Sequence, residues 1–259
     1  MPSRKPRKQR LDLLLVERGL APSRARAQAL VMAGCVYSGE QRLQKAGEKV
    51  AVDLPLQVRG RDHPYVSRGG VKLAGALDAF GLDVEGLVVA DLGASTGGFT
   101  DCLLQRGARR VHAVDVGHGQ LHPRLRSDPR VRVHERTNAR HLTAARLGER
   151  VDLVTADLSF IGLRKVLPAV AAVLRPGGEA LLMVKPQFEL GPEHVGRGGV
   201  VRDEGLRRRA AALVAEAAAR LGFARLGERD SSLPGPKGNR EVFLWLRAGG
   251  GLQDAADGS

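Results

Sequence analysis

From Val88 onwards, short apolar runs alternate with stretches whose apolar residues recur at helical spacing. The runs Val88–Leu92, Val111–Asp115, Val131–Glu135, Leu153–Asp157 and Ala180–Val184 read as buried parallel strands. Helices fill the gaps, among them Leu163–Leu174 and Leu206–Leu221, the second ending at Gly222. Arg225–Arg229 and Val242–Arg247 follow with no helix between them, which predicts a closing antiparallel hairpin. The alternation specifies an α/β fold of the doubly wound, Rossmann-like kind, with a seven-stranded, mostly parallel sheet.

The first sixty residues have a different rhythm. Leu11, Leu14, Leu15 and Leu20 give one apolar face, and Ser23 is placed to cap a second helix that runs through Ala33 and stops at Gly34. Val36–Gly39 and Lys49–Val52 look like short strands turned at glycine. The division this implies is a basic disordered arm at 1–9, a small α+β domain at 10–60 and a linker at 61–66. The α/β domain follows at 67–248, opening on a helix from a Ser67 cap to about Phe80, and a disordered tail occupies 249–259.

Charge adds a partner to this picture. Lys and Arg number 41 against 28 Asp and Glu, a net charge of +13, which calls for a polyanion. Residues 1–60 carry twelve basic residues against five acidic ones, a net +7, so the N-terminal domain is the expected nucleic-acid anchor. There Arg24 and Gln28 lie one turn apart with Arg26 off to the side, and their groups are expected to fan over one exposed surface. Aromatic residues make up only 3% of the chain, so recognition should lean on phosphate contacts and nucleic-acid shape rather than on base stacking. Cys35 and Cys102 give neither a disulfide framework nor metal-ligand spacing. No run approaches the ~18 apolar residues of a membrane span, and Glu17 and Arg18 cut off the only signal-like stretch, Leu13–Val16. The expectation is a cytoplasmic protein with no metal and no membrane.

Candidate chemistry centres on Val89-Ala90-Asp91-Leu92-Gly93-Ala94-Ser95-Thr96-Gly97-Gly98-Phe99, where a strand ends at an acid and a glycine turn opens a helix. Such a corner brings backbone N–H groups and a helix N-terminus close to a nucleotide-like ligand. The glycine spacing is not that of a dinucleotide fingerprint, and no Lys-Ser or Lys-Thr follows to make a phosphate loop. Asp115, at the end of the next strand, is placed to take ribose hydroxyls, so S-adenosylmethionine is the cofactor that suits these features best. Asp91, Asp115, Asp157 and Lys185 all fall at the carboxyl ends of strands, where ligands bind in such sheets. An ammonium ending an apolar run is costly to bury unless it is paired or its pKa falls, which makes Lys185 the first catalytic candidate. The turn after the fourth strand, Asp157-Leu158-Ser159-Phe160, lacks the Pro-Pro-aromatic signature of amino-group methylation. Neither cysteine sits where carbon-5 pyrimidine methylation would need its thiolate. A hydroxyl acceptor remains.

Residues 10–60 resemble the S4-type RNA-binding domain through Arg10-Leu11-Asp12, Gly19-Leu20, Ser23-Arg24, Ala27, Gly34, Val36 and Gly39, with Ser38-Gly39 standing where Asn-Gly is usual. The second domain resembles the FtsJ-type ribose 2′-O-methyltransferases. The whole chain, from about Arg10 to Leu246, resembles the TlyA family, described both as haemolysins and as ribosomal RNA cytidine 2′-O-methyltransferases. The blocks that carry this are Ser67–Leu73, Asp91–Asp101, Asp157–Phe160, Lys185–Glu189, Gly198–Asp203 and Gly235–Glu241.

The resemblance implies a Lys-Asp-Lys-Glu tetrad at Lys72, Asp157, Lys185 and Glu241, and ribosomal RNA or assembled ribosomal subunits as substrate. A lysine, at about 10.4 when unperturbed, becomes a usable base if a neighbouring ammonium and desolvation lower it, a part that falls to Lys72. An antiparallel last strand would start beside the ends of the parallel ones and bring Glu241 into the same crevice. Cofactor contacts are expected from Asp91, Gly93, Ser95, Thr96, Gly97, Gly98, Asp115, Asn138 and Asp157. RNA contacts are expected from Arg10, Arg18, Arg24, Arg26, Lys45 and Arg68. The competing readings are a non-catalytic ribosome-assembly factor and a membrane-active haemolysin; the second has no span, signal segment or amphipathic cationic helix to support it.

Overall fold

The computed structural model describes residues 7–59, 63–196, 198–235 and 238–249. The first six residues of the expected arm, linker residues 60–62, Pro236-Lys237 of the Gly235–Glu241 block and the tail from residue 250 lie outside the described residues. The chain divides into two compact units, Met1–Arg68 and Gly69–Ser259.

The small unit holds β1 (Lys8–Arg10), α1 (Leu11–Glu17), α2 (Arg24–Met32), β2 (Val36–Ser38), β3 (Gln41–Arg42), β4 (Lys49–Ala51) and β5 (Gln57–Val58). Leu11, Leu14 and Leu15 of α1 pack with Ala27 and Val31 of α2, Val36 and Val50 into one core. The Ser23 hydroxyl accepts the Arg26 N–H at 3.2 Å and starts α2, and Gly34, at φ +73°, ends it. The expected arm is corrected at its inner end: Lys8, Gln9 and Arg10 are a strand paired antiparallel with Ala51, Val50 and Lys49. A polar triplet shows no alternation in sequence, and its strand state comes from a partner some forty residues away.

The large unit follows the predicted alternation: α3 (Arg68–Phe80), β6 (Val88–Leu92), α4 (Gly98–Gln105), β7 (Arg110–Val114), α5 (Pro123–Arg126), β8 (Val131–His134), α6 (Ala144–Leu147), β9 (Val151–Ala156), α7 (Leu167–Val173), β10 (Leu174–Val184), α8 (Pro186–Glu189), α9 (Glu204–Arg220), β11 (Phe223–Asp230) and β12 (Val242–Ala248). Its sheet has seven strands in the order β11-β12-β10-β9-β6-β7-β8. β8, β7, β6, β9 and β10 run parallel, and β12 is inserted antiparallel between β10 and β11. Every residue of β6 is buried, as a strand covered on both faces requires.

Two expected elements are redrawn. The helix Leu163–Leu174 is a short 3-10 turn at Leu163–Lys165 followed by α7, and Leu174 already belongs to β10. Pro168 explains the break: it lacks an N–H, suits only the first turn of a helix, and restricts the residue before it. β10 starts six residues earlier than its apolar run, with a register shift between Leu174 and Glu179 across Pro176-Gly177-Gly178.

Candidate active site

The parallel strands end in a common crevice. Asp115 follows β7, Asp157 follows β9 and Lys185 follows β10, while the antiparallel register that sets Val242 opposite Val184 brings Glu241, the residue before β12, across from Lys185. The Lys185 ammonium lies 2.5 Å from Asp157 Oδ1 and donates to Ser159 Oγ at 3.0 Å. Lys72, on α3, donates to Glu241 Oε2 at 2.5 Å, and both side chains are buried. Burial pushes the Glu241 carboxyl up; Lys72 pulls it back, and Asp157 and Lys185 act on it as well. All four members of the expected tetrad therefore meet in one place. The electrostatic expectation is revised in one respect, because Lys72 is not a bare ammonium beside Lys185: each lysine carries its own carboxylate.

Glu241 is held from behind. Asn239, almost fully buried, accepts the Val201 N–H at 2.9 Å and donates to Gly199 O at 2.8 Å, which ties the loop before β12 to the Gly198–Asp203 block. Gly235 gives Glu241 room, since a Cβ there would lie 2.6 Å from Glu241 Oε1.

The glycine turn is built differently from the amide cradle its sequence suggested. The N–H groups of Gly93 and Ala94 donate to Val114 O, that of Ser95 to Asp115 Oδ2 at 2.8 Å, and that of Gly97 to Ala94 O. Those four amides are already bonded, so the turn does not offer them to a phosphate. The glycines serve close approach: Gly93 has φ +83°, and a Cβ there would lie 2.6 Å from Asp157 O. Asp115 takes the Ser95 and Gly117 N–H groups, the second at 2.7 Å. A carboxylate has about four acceptor sites, so Asp115 is fixed in orientation with capacity left for two hydroxyls. It lines a cleft with Ala94, Ser95, Ala113, Gln120 and Val133.

Asp91 lies beneath this turn with no exposed surface, accepting from Thr100 Oγ1 at 2.7 Å and Thr155 Oγ1 at 3.3 Å. Burial pushes its carboxyl up to about 7, the Thr100 hydroxyl opposing and the Asp157 charge adding to the rise. Thr96 and Gly98 flank Gly97 at the start of α4. Asn138 accepts the Arg140 N–H at 3.0 Å and starts the turn Ala139–His141. The acids lining the cradle and the bonded amides of its turn fit a cationic nucleoside such as S-adenosylmethionine.

A second, open cleft adjoins the Lys185 side. Its walls include Asn138, Arg140, Ser159, Phe160, Lys165 and Gln187. Phe160 is 94% exposed at φ +67° and stands 5.8 Å from Phe188, ring centre to ring centre. Sequence reasoning assigned no role to Ser159, Phe160, Asn239 or Glu189, although each sits inside a block it had singled out.

In the small unit the expected fan of cations is corrected. Arg10, Arg24 and Gln28 converge on the fully buried Asp12, at 2.8, 3.0 and 2.9 Å from its Oδ2. A buried carboxylate needs such partners, and the Arg10 bond first, with Gln28 and Arg24, holds Asp12 well below the usual carboxylate range against the opposing effect of burial. Arg18 donates to the carbonyls of Val52 and Leu54. Arg26 lies on α2, Lys45 on an exposed loop, and Arg68 opens α3.

The family model of the FtsJ-like methyltransferases matches residues 65–248, and that of the S4 domain matches residues 9–54. A Mycobacterium tuberculosis protein named 16S/23S rRNA (cytidine-2′-O)-methyltransferase TlyA is 49% identical over 257 residues, covering 96% of each chain. Hemolysin A of Brachyspira hyodysenteriae is 36% identical over 90% of this chain and 98% of its own. A solved structure of a Streptococcus thermophilus protein assigned to the hemolysins superposes with a TM-score of 0.74 at 41% identity, over 95% of this chain and 90% of that one. The chain belongs to the FtsJ-like methyltransferase family and carries an S4 domain ahead of its methyltransferase domain.

Proposed function

We propose that this protein methylates a ribose 2′-hydroxyl of cytidine in ribosomal RNA, with S-adenosylmethionine as donor, in the cytoplasm where ribosomes are made. The observation that carries the reading is the meeting of two ion pairs, Lys185 with Asp157 and Lys72 with Glu241, at the strand ends beside Asp115. Its relatives named as rRNA cytidine 2′-O-methyltransferases support the substrate.

S-adenosylmethionine, when bound, supplies a methyl group on a sulfonium. Asp115 would hold its ribose hydroxyls, and the acids Asp91, Asp157 and Glu241 suit its positive charge. On the RNA side, Lys185, once its ion-pair proton has passed to solvent, accepts the proton of the 2′-hydroxyl, and Asp157 stabilises the ammonium that forms again. Ser159 Oγ, 3.0 Å from Lys185 Nζ, fixes the amine's direction. Lys72 and Glu241 form the buried floor that keeps the pair in register, which matters because displacement requires the oxygen in line with the methyl group. Arg140 and Lys165, beside the exposed Phe160, give the open cleft the positive charge and the ring face that a nucleotide entering from RNA can use. The arginines gathered by Asp12, with Arg26 and Lys45, are the proposed RNA anchor of the S4 unit.

The test is to incubate the protein with tritiated S-adenosylmethionine and separated ribosomal subunits, then map the labelled nucleotide. Label at a cytidine ribose is the expected result. Absence of transfer to either subunit, with the cofactor bound, would leave the non-catalytic assembly factor as the better reading.

A further inference from the structure

The active-site loop after β9 and the segment after β10 touch at two ends. At the reacting end, Lys185 reaches Asp157 and Ser159. Four residues further along, at the end of the short α8, a second set of contacts joins the same two segments. The Glu189 carboxylate, only 3% exposed, accepts the backbone N–H of Leu163 and pairs with Arg164 Nε at 3.2 Å, while Arg164 Nη2 donates back to Glu189 O at 2.7 Å. Between the two ends Gly162 lets the backbones close up, because a Cβ there would lie 2.8 Å from Phe188 O and 3.1 Å from Glu189 Oε2. Phe160 and Phe188 lean together across the same seam.

Such a carboxylate is an expensive way to hold a loop. Burial pushes Glu189 up even though the Leu163 N–H and Arg164 both favour its charged form, and a buried apolar contact would fasten the seam at less cost. What the ionic seam adds is direction: one acceptor takes a backbone donor and a guanidinium at fixed angles, and the residues it fixes are Ser159, Phe160 and, through Ser159, the Lys185 amine.

We propose that Glu189 is a positioning residue for methyl transfer, clamping the Asp157–Leu163 loop to the Lys185–Glu189 segment so that Ser159 and Phe160 face the acceptor in one register. The inference rests on the functional reading above and deepens it. Glu189 touches neither the reacting amine nor the cofactor cleft, so its loss should change turnover without changing cofactor affinity.

The experiment uses the full chain and compares wild type with Glu189→Ala, Glu189→Gln and Gly162→Ala. Glutamine keeps an acceptor for the Leu163 N–H, alanine removes it, and the Gly162→Ala methyl wedges the seam open with the carboxylate intact. Methylation of ribosomal RNA gives kcat and KM, calorimetry with S-adenosylhomocysteine gives cofactor affinity, and amide exchange follows Leu163. Glu189→Ala and Gly162→Ala are expected to lower kcat at least 30-fold with cofactor affinity within twofold, and to speed Leu163 exchange. Glu189→Gln is expected to recover most of the rate. An active wild type with Glu189→Ala turning over within threefold of it would overturn the positioning role alone. Equal losses of kcat and cofactor affinity in both alanine variants would also overturn it, since general unfolding would then explain the result. A wild-type chain that binds the cofactor and transfers no methyl group would instead refute the functional reading on which the role depends.

Discussion

Asp12 in the small unit and Asp91 in the large one are both without exposed surface, yet their charges are settled in opposite ways. Asp12 meets Arg10, Arg24 and Gln28, whose pull outweighs burial and holds it ionised. Asp91 meets the hydroxyls of Thr100 and Thr155, and there burial wins and pushes it up to about 7. The first arrangement is a staple: the buried acid gathers side chains whose outer parts stay in solvent, Arg24 at 54% exposure and Arg10 at 39%, where a phosphate backbone can reach them. The second keeps acid in a place where folding alone would not want it, which is characteristic of sites that must receive a charged ligand. In the S4 unit charge supports the fold and is displayed outward, whereas in the crevice charge is turned inward at the expense of stability.

The largest effect that would test this contrast is on catalysis. Lys185→Arg keeps the positive charge and a partner for Asp157 but does not deprotonate at working pH. Single-turnover methylation is expected to fall by roughly 10²- to 10⁴-fold, with cofactor and RNA binding retained. Near-wild-type transfer would remove proton abstraction by this lysine and leave the crevice as an aligning device. Next in size, Asp115→Ala removes the proposed acceptor of the ribose hydroxyls, for an expected loss of about 1.5–3 kcal/mol or roughly 10- to 100-fold in affinity. Calorimetry with S-adenosylhomocysteine checks it; unchanged affinity would displace Asp115 from the cofactor site.

Much of the large unit was legible in sequence because its strands are buried on both faces and announce themselves as apolar runs ending in acids. The antiparallel pairing of β11 with β12 was legible too, since no helix separates them, while the place of β12 beside β10 came through the family resemblance. What stayed hidden was long-range. Lys8–Arg10 is a strand only because Lys49–Ala51 lies opposite. Arg24 and Gln28 read, with Arg26, as a solvent-facing fan because nothing local shows that Asp12, one helix earlier, is fully buried and draws the first two in. The glycine turn was placed correctly, but its amides proved to be bonded to Val114 and Asp115, a choice of acceptor that spacing does not encode. In the tetrad, Lys185 stood out by itself as an ammonium at the end of an apolar run. Lys72 and Glu241, 169 residues apart, came only through resemblance to a family.

A smaller effect belongs to the staple. Asp12→Asn keeps the shape but removes the charge that Arg10 and Arg24 share, for an expected loss of about 1–3 kcal/mol in the small unit. The chain's optical probes separate the two units: Tyr37 and Tyr65 lie in the small one, and the single tryptophan, Trp245, in the large one. The tyrosine-detected transition should move to lower temperature, and the Trp245 transition should stay. RNA affinity should fall as well, with a shallower salt dependence, because two cations no longer hold a fixed position. A variant that binds RNA as tightly and as salt-sensitively as wild type would show that Asp12 supports the fold alone.

The smallest expected effect has the opposite sign and separates the two acids most cleanly. A carboxyl whose folded value is depressed, as at Asp12, contributes stability above its ordinary 3.8 and loses it as pH falls below that value. A carboxyl whose folded value is raised to about 7, as at Asp91, contributes its full share below 3.8 and loses it as pH rises from there towards 7, because the unfolded chain ionises first. Asp91→Asn removes that penalty, and Thr100 and Thr155 can still bond the amide. The amide brings a desolvation cost of its own, which leaves a net gain of about 1 kcal/mol near pH 8, or roughly 2–4 °C for a unit of this size. The Trp245-detected midpoint should therefore rise at pH 8 and fall at pH 4, where the cost of the amide stands without the penalty it replaces, while cofactor affinity falls because the cradle has lost an acid. Asp12→Asn should show the reverse pattern in the tyrosine signal, with its loss greatest at neutral pH and fading in acid. If Asp91→Asn lowers the midpoint at pH 8 instead, Asp91 is a second structural staple, and the division between displayed and inward-turned charge does not hold.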